Sequence, residues 1–381
     1  MLFSETNRTE LRPKEHAERD YDYLNISARP EAYRVRRCLD YWFSRYPEEE
    51  QGEFRARFQF GNDLSFLSCS FELYFHEMLL NLGYSLEVHP INPSGRSTRP
   101  DFRVSDQEGS EFYLETVLAT EMTDQERAAN ARMNVVYDAL NRLGSPNFYL
   151  EMNIRGYPET SPSSSRLRTT LSRWLSQLDP DQQIENGERR PEYRYQNDGW
   201  NIVFTAIPKS PSRRGQPGIR PIGTMFFGFR WESTWQAIRD AVMSKGQHYG
   251  NMRAPLIIAV NVGSFSIDPI DEMQALFGEE RWILRDDEME QHERVPNGLW
   301  NGPNGTRYRR VSAVIIAADV KPWTMAVRPV RLFHNPWANH PISGEICRLP
   351  KAVPVDDKMD MRDGLHPRQI LNLSEGWPEV D

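Results

Sequence analysis

Three acidic side chains are spaced along residues 64–119 in a way that suits the binding of a divalent cation. Asp101 follows Pro100 at the start of a β-like segment, and Glu115 lies in the middle of the next one. Glu72 lies on the helical segment that precedes both. A hairpin would bring Asp101 and Glu115 to one edge of a sheet. Because Mg²⁺ prefers oxygen ligands, we expect this edge to hold a metal ion that activates water to hydrolyse a phosphodiester.

The elements that must position these carboxylates follow from the local sequence. A helix is predicted over Leu64–Leu82, a strongly helical segment that stops at Gly83. Three short strands are predicted next, over Tyr84–His89, Asp101–Val104 and Glu111–Leu118. The last two are separated by SDQEGS, whose Ser, Asp and Gly residues are typical of a hairpin turn.

Later segments predict the fold class. A long helix is expected at about 233–249, followed by apolar strands over 255–262 and 311–320. Strands that are apolar throughout and alternate with helices are typical of an α/β sheet covered on both faces.

The composition indicates the surface charge, the cysteine chemistry and the cellular compartment to expect. The chain of 381 residues has 46 Lys and Arg against 54 Asp and Glu, a net charge of -8, which argues against a wholly basic surface. Its three cysteines have no CxxC spacing and predict neither a disulfide framework nor a thiolate zinc site. The polar N-terminus and the strand-length apolar runs predict a cytoplasmic protein that has no membrane partner.

The acidic residues carry a resemblance to the PD-(D/E)XK nuclease superfamily. Pro100-Asp101 resembles its PD pair, and the sequence ETV from Glu115 onward resembles its (D/E)-x-K motif. Glu72 resembles the acidic residue of the family's first core helix. The resemblance implies that Asp101, Glu115 and the main-chain carbonyl of Thr116 bind Mg²⁺ or Mn²⁺, with Glu72 positioning a second metal or water.

The chain departs from the family at Val117, which stands where the motif has its lysine. In some related nucleases the lysine has migrated to the core helix after this strand, and RecB-like members carry a Gln/Tyr motif there. The later segment SKGQHYG supplies Lys245, Gln247 and Tyr249. The resemblance therefore implies that Lys245 is catalytic and that Gln247 and Tyr249 contact the substrate.

The same resemblance implies a restriction-endonuclease-like α/β core, a mixed sheet flanked by helices and interrupted by a large insertion. Residues 1–63 are interpreted as an N-terminal helical segment and 64–119 as the first part of the core. Residues 120–230 form the insertion or second lobe, and 231–381 the second part of the core with a C-terminal region.

The activity that the resemblance implies is that of a metal-dependent endodeoxyribonuclease. Such domains serve restriction, repair or antiphage defence, so DNA and a protein partner in a defence complex are the expected partners. An acidic protein that binds nucleic acid must concentrate its positive charge. Arg213 and Arg214, in a Pro/Arg/Gly-rich segment, are therefore candidate substrate-binding residues.

Three alternatives stay open. Glu77 competes with Glu72, since it lies about 140° further round the same helix and the two cannot both face one metal. The loss of the motif lysine at Val117 allows a catalytically silent nuclease-fold protein that binds nucleic acid or acts as a scaffold. The chain also fits one subunit of a larger assembly that is active only with its partner.

Overall fold

The structure is a computed structural model of the full chain. It describes residues 1–119, 124–155, 159–161, 163–181, 190–197, 200–216, 221–227, 234–250, 252–263, 267–285, 288–356 and 358–379. The chain divides into two compact units. The core unit comprises 1–12, 19–121 and 233–381, and the inserted unit comprises 13–18 and 122–232. The boundaries predicted at 120 and 230 lie outside the described residues.

Four helices open the core unit. They are α1 (Asp20–Ile26), α2 (Pro30–Ser44), α3 (Glu48–Phe60) and α4 (Asp63–Asn81). Helix α4 begins after Asn62, whose side chain accepts a hydrogen bond from the Ser65 N–H and so caps the helix. Most of α4 is buried, polar residues included. Within the described residues, no helix combines the length and apolar character that crossing a membrane requires.

An antiparallel meander follows α4. Its strands are β1 (Ser85–Val88), β2 (Phe102–Ser105) and β3 (Glu111–Ala119). The β2–β3 turn is closed by Asp106, whose carboxylate accepts the backbone N–H groups of Glu108 and Ser110 at 2.9 and 2.8 Å. Gly109 has φ +83° in this turn, a conformation that glycine adopts without steric cost. This turn fixes the register between the two strands.

The inserted unit carries its own sheet and core. Its elements are α5 (Asp124–Asn141), β4 (Phe148–Arg155), α6 (Ser164–Leu175), β5 (Glu192–Asn197), β6 (Trp200–Pro208) and β7 (Ile222–Phe227). In the described part of this unit, the strands lie in the order β5-β6-β4-β7. Apolar side chains from α5 and α6 pack with those of β4, β5 and β6 in one hydrophobic cluster.

The chain then returns to the core unit. The remaining elements are α7 (Thr234–His248), β8 (Leu256–Val262), α8 (Pro269–Phe277), β9 (Glu280–Arg285), β10 (Glu288–Arg294), β11 (Asn301–Gly302), β12 (Gly305–Thr306), β13 (Ala313–Ala318), β14 (Val330–His334), β15 (Lys351–Val355), β16 (Lys358–Arg362) and α9 (Pro367–Ile370). Helix α7 packs against β3 and β8.

One mixed sheet organises the core unit, in the order β1-β2-β3-β8-β13-β14-β15-β16. Strands β3, β8 and β13 are parallel, and the meander at one edge is antiparallel. Ile257 and Ala259 of β8 pack in the cluster that includes α2, α3 and α4, whereas Ile258 and Val260 pack with α7 and α8. The prediction of an α/β fold with a mixed sheet flanked by helices is therefore confirmed.

Candidate active site

Asp101 and Glu115 lie opposite each other where β2 begins beside β3. The register pairs Phe102 with Leu114, which places Asp101 beside Glu115 on the neighbouring strand. The Asp101 N–H donates to Glu115 Oε2 at 3.2 Å. In return, the N–H and the hydroxyl of Thr116 donate to Asp101 Oδ2 at 2.7 and 2.6 Å. These reciprocal bonds fix the two carboxylates in orientation.

Lys245 of α7 and Tyr249, the first residue after that helix, contact the same carboxylate. Lys245 Nζ lies 2.5 Å from Glu115 Oε1, and the Tyr249 hydroxyl donates to Glu115 Oε2 at 2.6 Å. Both oxygens of Glu115 are thus held from the α7 side.

The charged groups of this cluster shift one another's pKa values. Burial raises the pKa of Glu115 to about 7, and the negative charge of Asp101 also raises it, while Lys245 opposes both effects. Burial lowers the pKa of Lys245, but the adjacent Glu115 carboxylate outweighs that effect and holds it above its ordinary value. Lys245 is therefore a cation at neutral pH.

Glu72 reaches the cluster from α4. Its carboxylate is 2% exposed and accepts hydrogen bonds from the Tyr46 hydroxyl at 2.5 Å and from Arg57 Nη2 at 3.1 Å. Burial raises the pKa of Glu72, and the negative charge of Asp101 raises it further. The buried carboxylate is compensated by the Arg57 cation and lies within electrostatic reach of Asp101.

His89 completes this side of the cluster. It follows β1 directly, and its backbone N–H donates to the backbone carbonyl of Asp101 at 2.9 Å. His89, Asp101 and Glu115 therefore occupy neighbouring positions on successive strands of the meander. Among the described residues, Glu72, His89 and Asp101 offer ligand atoms that all lie within 4.8 Å of one another.

Glu77, the alternative to Glu72, has a different partner. Its Oε1 lies 2.5 Å from Arg45 Nη1, so its charge is compensated by an arginine of the α2–α3 connection. Glu77 is not in the group of ligand atoms around Asp101. The geometry thus brings Glu72 and not Glu77 to Asp101.

A groove of about 340 Å³ opens beside the carboxylates. The ladder between β2 and β3 ends at Leu114, and residues 116–118 of β3 form one wall of the groove. The first two turns of α4 form another wall, and Arg57 and Lys245 both line the groove. Two cations that line one groove suit a phosphate backbone.

The remaining predicted substrate-binding residues are Gln247, Arg213 and Arg214. Gln247 is exposed at the end of α7, where its amide donates to the Tyr308 hydroxyl at 2.7 Å. Arg213 and Arg214 belong to the inserted unit. Arg213 is exposed, whereas the Arg214 guanidinium forms two hydrogen bonds with Asp181 at 2.8 and 3.1 Å.

Sequence reasoning missed four residues of the cluster. They are Tyr46, Glu50, Arg57 and His89. Only His89 has a local signal, because the antiparallel pairing of β1 with β2 places the residue after β1 beside Asp101. Glu50 and Arg57 belong to α3 and Tyr46 to the connection between α2 and α3, and nothing in their spacing points to the carboxylates.

The donor set fits a divalent cation. The carboxylates of Glu72, Asp101 and Glu115 outnumber the cations Arg57 and Lys245, so an added positive charge would be stabilised. The oxygen donors suit a hard cation, and the imidazole of His89 adds a nitrogen donor. No protein-family model matches the chain, and comparison with curated proteins and with solved structures finds no significant match.

Proposed function

We propose that the protein is a metal-dependent nuclease that hydrolyses the phosphodiester bonds of DNA. The observation that carries the proposal is the 2.5 Å contact between Lys245 Nζ and Glu115 Oε1. Glu115 in turn lies opposite Asp101. A lysine and two carboxylates at one sheet edge are the charged groups that metal-dependent phosphodiester hydrolysis uses.

The order of elements supports the proposal. Helix α4, the meander β1-β2-β3, helix α7 and strand β8 follow one another around the cluster, with the inserted unit between β3 and α7. The core of the PD-(D/E)XK nucleases, which the sequence resembles, has the same order of helix, three-stranded meander, helix and strand. The lysine absent at Val117 is replaced in space by Lys245.

In this proposal Asp101, Glu115 and the main-chain carbonyl of Thr116 hold Mg²⁺ or Mn²⁺. The bound ion supplies Lewis-acid chemistry and lowers the pKa of its water. Lys245, protonated beside Glu115, orients the nucleophile and stabilises the negative charge that develops on the phosphate. Tyr249 holds Glu115 in orientation through its hydroxyl.

The groove beside β3 is the proposed path of the substrate backbone. Arg57 and Lys245 line it and would contact phosphates. Thr116–Leu118 form part of its wall. A groove with two cations can hold one strand close to the carboxylates in an otherwise acidic protein, whose net charge is -8.

The test is cleavage of supercoiled, linear and single-stranded DNA and of RNA, with Mg²⁺, Mn²⁺ or EDTA. The wild type is compared with Asp101→Asn, Glu115→Gln and Lys245→Met. A matched control is Glu111→Gln, an exposed carboxylate at the other end of β3. We expect metal-dependent cutting of DNA that is lost in the three variants and kept in the control.

Two results would contradict the proposal. Cutting that survives in all three variants would place the chemistry elsewhere. Binding of nucleic acid without cutting under any metal condition would favour the catalytically silent protein. In that case recovery of cutting on addition of a cellular extract would identify a subunit that needs a partner.

A further inference from the structure

We propose that His89 is a metal ligand, and that together with Glu72 and Asp101 it forms a site for a first-row transition-metal ion, with Mn²⁺ preferred over Mg²⁺. This inference rests on the proposed function, because it specifies the ligands of a second metal position, on the Glu72 side of Asp101, in the same cluster. The carboxylates alone offer the oxygen ligands that Mg²⁺ prefers, and His89 adds a nitrogen ligand to them.

The geometry of the three side chains carries the inference. One ligand atom from each of Glu72, His89 and Asp101 lies within 4.8 Å of the other two. Ligand atoms about 2.0–2.2 Å from one metal lie closer together than 4.8 Å, so the three side chains must draw together slightly when the ion binds. His89 Nε2 faces Glu72 Oε1 at 3.8 Å, too long for a hydrogen bond between them.

The other ring nitrogen of His89 fixes the tautomer. His89 Nδ1 lies 3.0 Å from Oε2 of Glu50, a residue of α3. An ionised carboxylate only accepts hydrogen bonds, so Nδ1 carries the proton and donates it. In the neutral ring, Nε2 then has a free lone pair that faces the carboxylates. A carboxylate that orients a histidine through its second nitrogen is the usual support of a metal-binding imidazole.

The two carboxylates are also held in place. Glu72 accepts from Tyr46 and Arg57, and Asp101 Oδ2 accepts from Thr116. A carboxylate has about four lone-pair sites, so these bonds leave acceptor capacity for a metal. The site is therefore ordered before a metal binds, which reduces the entropy lost on binding.

The ligand chemistry selects the class of metal. Mg²⁺ is bound through oxygen and keeps several water molecules, whereas imidazole is a common ligand of first-row transition metals. Two carboxylates with one imidazole match Mn²⁺, which accepts both donor types. The inference accordingly assigns Glu50 as a positioning residue and His89 as a direct ligand.

The experiment loads the full-length wild-type protein with Mn²⁺ and records the electron spin echo envelope modulation of the bound ion. We expect modulation from a coordinated nitrogen, which disappears in His89→Gln. His340→Gln is the matched control, since His340 is no part of the cluster. A Mn²⁺-loaded wild type without nitrogen modulation, or one that binds no Mn²⁺, would overturn the inference without any variant being needed.

Binding titrations give a second readout. We expect the Kd for Mn²⁺ to rise at least about tenfold in His89→Gln and about tenfold in Glu50→Ala. The exposed neighbour Glu49→Ala should leave it unchanged. The Kd for Mg²⁺ should change less than that for Mn²⁺ in His89→Gln. Equal Mn²⁺ affinity in wild type and His89→Gln would contradict direct ligation.

These outcomes separate the inference from the proposed function. Nitrogen modulation in a protein that cuts no substrate would support the metal site and contradict the nuclease. Cutting that depends on Asp101 and Glu115, by a protein whose bound Mn²⁺ shows no nitrogen, would support the nuclease and overturn the role of His89.

Discussion

Lys245 Nζ and Glu115 Oε1 are in contact at 2.5 Å, although 130 positions separate the two residues in the chain. Strand β3 presents Glu115 and helix α7 presents Lys245, and the inserted unit lies between them in the sequence. The fold thus brings a lysine into contact with Glu115, although the local sequence ETV contains no lysine.

Replacing Lys245 by Met tests the chemical role of this pair. Loss of a group that orients a nucleophile or transfers a proton typically slows catalysis about 10²–10⁴-fold. We therefore expect the rate of metal-dependent cutting to fall by that range, measured in single-turnover assays. Lys358→Met, an exposed lysine of β16, is the control and should cut at the wild-type rate. An unchanged rate in Lys245→Met would remove the lysine from the mechanism.

Tyr249→Phe removes only the hydroxyl that donates to Glu115 Oε2. Because that bond favours the charged carboxylate, its loss should raise the pKa of Glu115 further above its ordinary value. We expect cutting near neutral pH to slow about tenfold, with the optimum displaced to higher pH. Tyr41→Phe, an exposed tyrosine of α2, should leave the pH profile unchanged. A superimposable profile for Tyr249→Phe would show that the hydroxyl has no influence on Glu115.

The Arg57 and Glu72 pair is expected to contribute to stability. Removing the cation leaves the buried Glu72 carboxylate uncompensated, which costs about 3–5 kcal/mol when both partners are buried and less here, because the Arg57 side chain is 36% exposed. Arg57→Met should therefore lower the free energy of unfolding of the core unit in urea. Glu72→Gln added to Arg57→Met should recover part of that loss, because the buried group is then neutral. Additive losses in this double-mutant cycle would mean that the two side chains do not interact.

His76 predicts a dependence of stability on pH. Its ring is buried beside Tyr46 and Phe102, and burial, with a smaller effect of the Arg45 charge, lowers its pKa to about 4. In the unfolded chain the pKa is about 6.5, so the unfolded state binds the proton more readily between these values. Stability is therefore lost as the pH falls through this range, by about 2 kcal/mol from pH 7 to pH 5.

The measurement is urea unfolding of wild type and His76→Gln at pH 7 and pH 5. The difference between the two proteins isolates His76, since the raised pKa values of Glu72 and Glu115 act with the opposite sign in both. We expect the variant to lose less stability than the wild type on acidification. Equal losses would mean that the ring accepts its proton in the folded state as readily as in the unfolded chain.

Arg213 and Arg214 are expected to differ in their contribution to nucleic-acid binding. Arg214 is already paired with Asp181, whereas Arg213 is exposed. Each phosphate contact adds about 0.9 to the slope of log affinity against log salt on duplex DNA. Arg213→Gln should therefore flatten the slope by nearly one unit and Arg214→Gln by less, measured by fluorescence anisotropy. An unchanged slope for Arg213→Gln would exclude a phosphate contact there.

Much of the meander was predictable because its signals are local. The alternating residues of β2, the turn with Asp106 and Gly109, and the position of Asp101 before the strand are all encoded within 20 residues. The opposition of Asp101 and Glu115 follows from that turn. Lys245 was predicted from the family resemblance, since spacing alone could not bring it to Glu115.

The rest depends on contacts between distant segments. Tyr46, Glu50 and Arg57 were missed because their partners Glu72 and His89 lie on later elements. Strand β5 lies in a stretch that reads as polar, and it is stabilised by its pairing with β6. Such segments receive their structure from a neighbouring strand, and their own sequence pattern does not predict it.

The position of the inserted unit has a consequence for synthesis of the protein. During translation both carboxylates emerge from the ribosome well before Lys245, because the whole inserted segment 122–232 is made in between. A contact across 130 positions also costs conformational entropy, because a long loop must be closed. Folding of the inserted unit reduces the length of flexible chain in that loop. Under the proposed function, a nascent chain would therefore lack Lys245, and with it the cutting of DNA, until the inserted unit and α7 have been made.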